Sequence, residues 1–204
     1  MQFYHNIITQ KSFEFLQKFN QEYDFILIGG WAVFLYSHSL KSKDIDIIIE
    51  YQELARLKEK YEVFKNDRLK KYEIKSGEFD IDIYLPHYSE LGIDLSRIKK
   101  TAQNREGFHL PKLEILFLLK LHAWQNRQGS TKGRKDELDL LSLALLPEFD
   151  WREYKNLIKK NNLQSLNKQF LSFLKNTTRA EELKINEQKI AKTRNGILKE
   201  LGEK

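Results

Sequence analysis

Two pairs of aspartates in this chain share the same spacing and the same apolar surroundings. Asp44 and Asp46 flank Ile45 and lead into an apolar run, and Asp80 and Asp82 alternate with isoleucines in a later segment. In a β-strand, residues two apart point to the same face, so each pair projects its carboxylates to one side. Close carboxylates repel unless a cation lies between them, and Mg²⁺ is usually held by one or two carboxylates together with substrate phosphates. The pattern therefore indicates a magnesium site for phosphate chemistry.

A glycine pair precedes the first aspartates. The apolar run Phe25–Ile28 reaches Gly29 and Gly30, and a segment with a helical pattern follows. Glycines at the start of a helix allow the backbone amides to approach a phosphate closely. Lys41 and Lys43, directly before Asp44, are candidates for neutralising the charge of the same triphosphate.

A third carboxylate on another strand would complete a two-metal site for in-line displacement at phosphorus. Asp82 is the first candidate because it lies nearer the middle of its apolar frame, and Asp80 is the alternative. The competing interpretation is a polar outer face on an edge strand. It explains poorly why the other face of both strands is continuously apolar.

Strands, helices and a hairpin must position these residues, and the apolar periodicity predicts them in the first half of the chain. A tight turn at Ser76-Gly77 is expected to join the arms of the hairpin. The predicted elements are a helix over 6–20, a strand over 24–28, a helix over 31–36, a strand over 44–49, a helix over 51–60, hairpin arms near 70–75 and 78–85, and a loop over 87–110.

The second half has a helical pattern throughout. Pro111 suits the first position of a helix that runs to about residue 127, and Lys120 falls at the edge of its apolar stripe. Further helices are predicted over about 134–146, 151–175 and 180–201. The expected fold is α+β: a small mixed β-sheet core with N-terminal helices over residues 1–110, followed by an all-α domain over residues 111–204.

Charge is unevenly distributed along the chain. Residues 1–150 carry 22 basic and 23 acidic side chains, whereas residues 151–204 carry 13 and 6, a net charge of +7. A basic region of this kind steers polyanions such as RNA, although an ordinary solvated helical surface would look the same.

Composition also excludes several classes of protein. With no cysteine, disulfides, thiolate zinc sites and cysteine nucleophiles are excluded. No apolar run has the length of a membrane span, and the N-terminus has no signal-peptide pattern. We therefore expect a cytoplasmic protein that does not enter a membrane.

The ordered glycines and aspartates resemble the signature of the DNA polymerase β-type nucleotidyltransferase superfamily. The matching segments are Ile28-Gly29-Gly30, Asp44-Ile45-Asp46-Ile47 and Ile81-Asp82-Ile83. The resemblance implies a nucleoside triphosphate as substrate and two Mg²⁺ ions, with Asp44 and Asp46 binding both. It also implies that Asp82 binds the metal that activates the attacking hydroxyl.

Two segments of the helical half resemble AbiEii-like (type IV) toxins and related uncharacterised bacterial and archaeal nucleotidyltransferases. They are LLKLHAWQNR (118–127) and GSTKGRKDELDLLSL (129–143). The resemblance implies that Lys120, Lys135 and Asp136, with Asp139 as a weaker candidate, face the nucleotide. Asp136 would orient the triphosphate or act as a base. The alternative for both aspartates is helix capping and salt bridging, which the position of Asp136 in the first helical turn also favours.

The sequence thus predicts a metal-dependent enzyme that transfers a nucleoside monophosphate to an acceptor hydroxyl. A tRNA or other RNA end is one expected acceptor, with a cognate antitoxin as partner, and a protein or small-molecule hydroxyl is another. The alternative from a different class is a non-catalytic nucleotide-binding protein, such as an antitoxin.

Overall fold

The structure is a computed structural model that describes the backbone of residues 2–202 and the side chains of residues 6–202. The chain divides into two compact units, and the division falls between Lys112 and Leu113. This division is two residues from the domain boundary that the sequence predicts at residue 110. The assignment of a function to each part stays a prediction.

The N-terminal unit combines helices with short strands. Its elements are α1 (Gln2–Glu22), β1 (Ile26–Ile28), α2 (Gly29–Ser37), β2 (Ile45–Ile48), α3 (Tyr51–Lys60), β3 (Phe64–Asn66), β4 (Lys71–Lys75), β5 (Asp80–Tyr84), α4 (Leu95–Thr101), β6 (Gln103–Arg105) and β7 (Phe108–Leu110).

Strands β1 to β5 form a mixed sheet in the order β1-β2-β5-β4-β3. Only β2 and β5 pair in parallel, and their register places Asp46 opposite Asp82. The isoleucines that alternate with the aspartates are fully buried on the other face, since burial of β-branched side chains on one face favours strands. The prediction of an α+β fold with a small mixed sheet is confirmed.

Helix α1 packs against α2. The indole N–H of Trp31, on α2, donates a hydrogen bond of 3.0 Å to Ser12 Oγ. The Trp31 ring also packs on Phe13, with ring centroids 4.8 Å apart. Trp31 is therefore a core residue that fixes α2, and with it the glycine pair at the helix start.

The C-terminal unit is helical. Its elements are α5 (Leu113–Gln125), α6 (Thr131–Ala144), α7 (Trp151–Lys160), α8 (Gln164–Asn176), a short 3-10 helix (Glu181–Leu183) and α9 (Glu187–Glu200). Phe117 lies at the centre of an aromatic core, with its ring centroid 5.1 Å from those of Phe149 and Phe170. Edge-to-face contacts of this kind stabilise the packing of α5 on α7 and α8.

Several sequence predictions are wrong in detail. The predicted loop over 87–110 contains α4 and the two-stranded sheet of β6 and β7, and α5 begins two residues after Pro111. The helix predicted over 151–175 is broken between α7 and α8, where Asn162 adopts a φ of 56°. The last helix begins at Glu187 because the side chain of Asn186 caps it.

Within residues 2–202, the structure contains no helix that is both long enough and apolar enough to cross a membrane.

Candidate metal and nucleotide site

The polar face of the sheet brings the predicted carboxylates together. Asp46 on β2 and Asp82 on β5 lie directly opposite each other in the parallel register. Register-paired residues point to the same face, so the two carboxylates project side by side. Asp44 stands immediately before β2, two residues from Asp46 along the chain. The Tyr84 hydroxyl lies 3.5 Å from Asp46 Oδ1, as a donor to it.

Gly29 makes the closest approach to this cluster. It begins α2 with a φ of +68°, and an ideal Cβ placed on it would lie 2.0 Å from Asp46 Oδ2. No side chain caps the start of α2. The glycine is thus required both by the left-handed backbone and by the carboxylate beside it. The start of α2 therefore lies against the Asp46 carboxylate.

Asp44 and Asp80 are linked through the backbone. The Asp80 N–H donates to Asp44 Oδ1 at 3.2 Å. The Asp80 carboxylate itself forms a largely exposed ion pair with Lys75 at 2.8 Å. Asp80 therefore supports Asp44 and faces solvent, whereas Asp82 faces Asp46. This geometry favours Asp82 as the third carboxylate, a choice that stays a prediction.

Two charged residues of β4 complete the cluster, and sequence reasoning missed both. Lys71 Nζ lies 2.6 Å from Asp82 Oδ2 and 2.8 Å from Glu73 Oε1. Glu73 is the register partner of Asp82 on the other side of β5. The alternation of Lys71, Glu73 and Lys75 with Tyr72 and Ile74 was the available signal, but it looks like an ordinary outer face.

Burial and repulsion govern the charges here. Burial, together with the negative charge of Asp46, raises the pKa of Asp82 to about 6, although Lys71 opposes the shift. Burial acts to lower the pKa of Lys71, but its hydrogen bonds to Asp82 and Glu73 outweigh that effect and raise it. The hydrogen bond from Lys71 lowers the pKa of Glu73. The cluster is an acidic site in which a cation is favoured.

The donor chemistry of the cluster fits Mg²⁺. Among residues 6–202, no three histidine, aspartate or glutamate side chains converge into a ready-made metal site. That is compatible with Mg²⁺ in nucleotide enzymes, because the ion takes one or two carboxylates and completes its shell with phosphates and water. Burial first, and then the charge of Asp46, raise the pKa of Asp82, so a cation would favour the ionised pair. Asp44, Asp46 and Asp82 are the residues that would hold the metal.

Lys41 and Lys43 lie in the segment that leads from α2 to β2. Both are exposed, and the segment ends at Asp44. Their predicted contact with a triphosphate stays a prediction.

The predicted site residues of the helical unit form a buried ion cluster. Lys120 Nζ on α5 lies 2.7 Å from Asp139 Oδ2 and 3.3 Å from Asp136 Oδ1, both on α6. Arg127 contacts Asp136 from the exposed side at 3.3 Å. The two aspartates share one face of α6, as their spacing predicts. These contacts are the salt bridges of the alternative interpretation. Lys135, the neighbour of Asp136 in the chain, is partly exposed.

The small mixed sheet with its helices is consistent with the α+β fold of nucleotidyltransferases. The chain belongs to the family described as Nucleotidyltransferase of unknown function (DUF6036), whose model matches residues 7–186. This membership supports the resemblance to the nucleotidyltransferase superfamily. Among curated proteins, no match to the chain was found.

Solved structures with a similar chain include two from Helicobacter pylori. One is a candidate nucleotidyltransferase, 17% identical, with a TM-score of 0.50 and 89% of each chain covered. The other is JHP933, 18% identical, with a TM-score of 0.47 and coverage of 89% of this chain and 86% of that chain. At this identity, the first similarity concerns the fold alone.

Proposed function

We propose that the protein is a metal-dependent nucleotidyltransferase that transfers a nucleoside monophosphate from a nucleoside triphosphate to an acceptor hydroxyl. The observation that carries the proposal is the register of β2 and β5, which sets Asp46 opposite Asp82 beside the glycine that begins α2. Asp44, Asp46 and Asp82 would hold two Mg²⁺ ions in this proposal. The intact carboxylates argue against a non-catalytic nucleotide-binding protein.

The reaction places distinct demands on these residues. The acceptor oxygen attacks the α-phosphorus, the bond to the bridging oxygen breaks, and pyrophosphate leaves with that electron pair. Mg²⁺, when bound, offsets the charge of the phosphate oxygens and lowers the pKa of the attacking hydroxyl.

The chain's own residues orient the reactants. Asp82 lies on the acceptor side in this proposal, the role that the resemblance to the superfamily implies for it. The amides of Gly29 and Gly30 at the start of α2 face the triphosphate in this proposal. Lys41 and Lys43 neutralise part of its charge.

The roles of Lys120, Lys135 and Asp136 in nucleotide binding are proposed from the resemblance to AbiEii-like toxins. Lys120 is held by two aspartates, so contact with a triphosphate requires it to exchange one of them for a phosphate. The exposed Arg127 side of Asp136 is where that exchange would begin.

We propose an RNA end, such as that of tRNA, as the acceptor. The net charge of +7 over residues 151–204 supports this choice, because many of these lysines and arginines are exposed along α7 to α9. From the resemblance to AbiEii-like toxins we also propose a toxin-like role, with a cognate antitoxin as partner. Transfer to a protein or small-molecule hydroxyl is the other outcome of the same test.

The test incubates the protein with each labelled nucleoside triphosphate, Mg²⁺, and either total RNA or cell lysate. Wild-type protein should label one acceptor class, and Asp44→Asn should label none while remaining folded. Asparagine keeps the oxygen that accepts the Asp80 N–H, which is why the fold should persist. Asp67→Asn is the matched control, because Asp67 is an exposed aspartate paired with Lys65. Full labelling by Asp44→Asn, or none by the wild type with any acceptor, would refute the proposal.

A further inference from the structure

The row of acidic residues across the sheet encloses the ammonium of a largely buried lysine, Lys71. Asp46, Asp82 and Glu73 follow one another on β2, β5 and β4 through the register of the strands. The Lys71 ammonium contacts both Asp82, at 2.6 Å, and Glu73, at 2.8 Å. The side chains of Lys71, Glu73 and Asp82 are only 12%, 13% and 18% exposed, so water screens these contacts weakly.

Lys75 shows what an ordinary lysine on this strand looks like. It lies four residues further along β4 on the same face and pairs with Asp80 at 2.8 Å. Its side chain is 48% exposed, and exposed ion pairs contribute little to stability. Lys75 also lies 3.5 Å from Glu73 Oε2, so both lysines have two carboxylate partners. Lys71 differs from Lys75 by its burial and by its contact with Asp82, not by its charge.

We propose that Lys71 is a built-in counter-ion that neutralises Asp82 before the metal binds; this inference rests on the proposed function. When Asp82 binds the metal, Glu73 retains the Lys71 ammonium. A divalent ion at Asp82 repels the ammonium, because both carry positive charge. Glu73 already contacts Lys71, so the transfer breaks one ion pair and keeps the other. Lys71 and Glu73 are therefore positioning residues that set the affinity of the site for its metal.

Substitutions of the two residues should act in opposite directions. Lys71→Met removes the competitor of the metal and the cation that contacts Asp82, while Glu73 keeps its contact of 3.5 Å with Lys75. Divalent-metal affinity should rise about tenfold, and the metal-free protein should unfold at a lower temperature. Glu73→Gln keeps an accepting oxygen but removes the negative charge that retains Lys71, so metal affinity should fall about tenfold. Lys75→Met and Glu78→Gln remove the same charges from exposed positions and should change affinity less than about threefold.

The experiment titrates the full chain with Mn²⁺ alone, without nucleotide, and follows free Mn²⁺ by electron paramagnetic resonance. Mn²⁺ prefers the same oxygen ligands as Mg²⁺. Thermal unfolding in chelator and in Mn²⁺ gives a second readout that does not depend on activity. Tighter binding and a larger metal-induced stabilisation in Lys71→Met than in Lys75→Met are expected.

The outcomes separate this inference from the proposed function. The counter-ion role alone is refuted by the following pair of results. The wild type binds Mn²⁺ and Asp44→Asn abolishes that binding, but Lys71→Met binds Mn²⁺ no more tightly than Lys75→Met. A Glu73→Gln affinity equal to that of Glu78→Gln refutes the role of Glu73. If neither the wild type nor Lys71→Met binds Mn²⁺ in a way that requires Asp44, both the metal site and the counter-ion role are refuted.

Discussion

Replacing Gly29 by alanine adds a single methyl group at the closest contact of the proposed site. The added Cβ would lie 2.0 Å from Oδ2 and 2.6 Å from Cγ of Asp46, whereas ordinary van der Waals contact begins at 3.4 Å. The Asp46 carboxylate or the start of α2 must therefore move by about 1.4 Å to accept the methyl group. Both groups belong to the proposed metal and phosphate site.

The size of the effect can be divided into two parts. The φ of +68° costs an alanine about 1–2 kcal/mol in any surroundings. Gly77 has a φ of +85° with nothing within 4 Å of its added Cβ, so Gly77→Ala measures this backbone part alone. The clash at Gly29 adds an overpacking cost of about 1–3 kcal/mol. We expect the free energy of unfolding to fall by about 3 kcal/mol in Gly29→Ala and by about half of that in Gly77→Ala.

Function should separate the two variants further. A misplacement of about 1 Å at reacting groups lowers the rate about 100-fold. Gly29→Ala should therefore lose nucleotide transfer by at least about that factor and bind Mn²⁺ more weakly, whereas Gly77→Ala should keep both. Urea unfolding in chelator, Mn²⁺ titration and the labelled-nucleotide assay measure these quantities on the same preparations.

An Asp46→Gly background tests the cause directly. With the Asp46 side chain removed, Gly29→Ala should cost no more unfolding free energy than Gly77→Ala, because only the backbone part remains. If Gly29→Ala matches Gly77→Ala in the wild-type background, or retains full transfer, the contact between Gly29 and Asp46 does not constrain the site. The reasoning from the glycine to the metal ligands would then be wrong.

The remaining predictions concern buried charges. Because the pKa of Asp82 is raised to about 6, the folded protein binds this proton more tightly than the unfolded chain, and the free energy of unfolding should fall by up to about 3 kcal/mol as the pH rises from about 4 to about 6. Urea titrations in chelator should show that fall in the wild type, and an equal fall in Asp82→Asn would contradict the assignment. Lys120→Met leaves Asp139 buried without its cation and should lower the free energy of unfolding by about 3–5 kcal/mol, against about 0.5 kcal/mol or less for the exposed Lys132→Met. A loss below about 1 kcal/mol in Lys120→Met would show that the cluster is not buried in solution.

The local pattern predicted the strands of the site but not how they pair. Alternating aspartates and isoleucines define β2, β5 and the face that each carboxylate occupies, because a strand buried on one face needs this period. The pairing of Asp46 with Asp82 depends on residues 36 positions apart, and a shift by two residues would bury the same isoleucines. Only the structure fixes that register, whereas the preference for Asp82 over Asp80 comes from its place in the apolar frame and stays a prediction.

Short elements and long-range ion pairs explain the other omissions. Strands β6 and β7 have three residues each and α4 has seven, which is too short for apolar periodicity to indicate a type. Lys71 and Glu73 alternate with apolar residues as in any half-exposed strand. Their burial follows from the packing of β4 between β5 and β3, which no local pattern contains.

Lys120 shows why a sequence motif leaves the role of a buried charge open. A lysine on an apolar helical stripe, followed by two aspartates at i, i+3 on the next helix, is expected both for a nucleotide-binding cluster and for an internal ion pair. The distance of 2.7 Å from Lys120 to Asp139 establishes the internal ion pair, and the family resemblance alone supports nucleotide binding. At Gly29 the inference runs the other way, since the backbone conformation and the adjacent Asp46 carboxylate require a glycine whatever the family. On the sheet, strand register and steric contact therefore constrain the same carboxylate, that of Asp46.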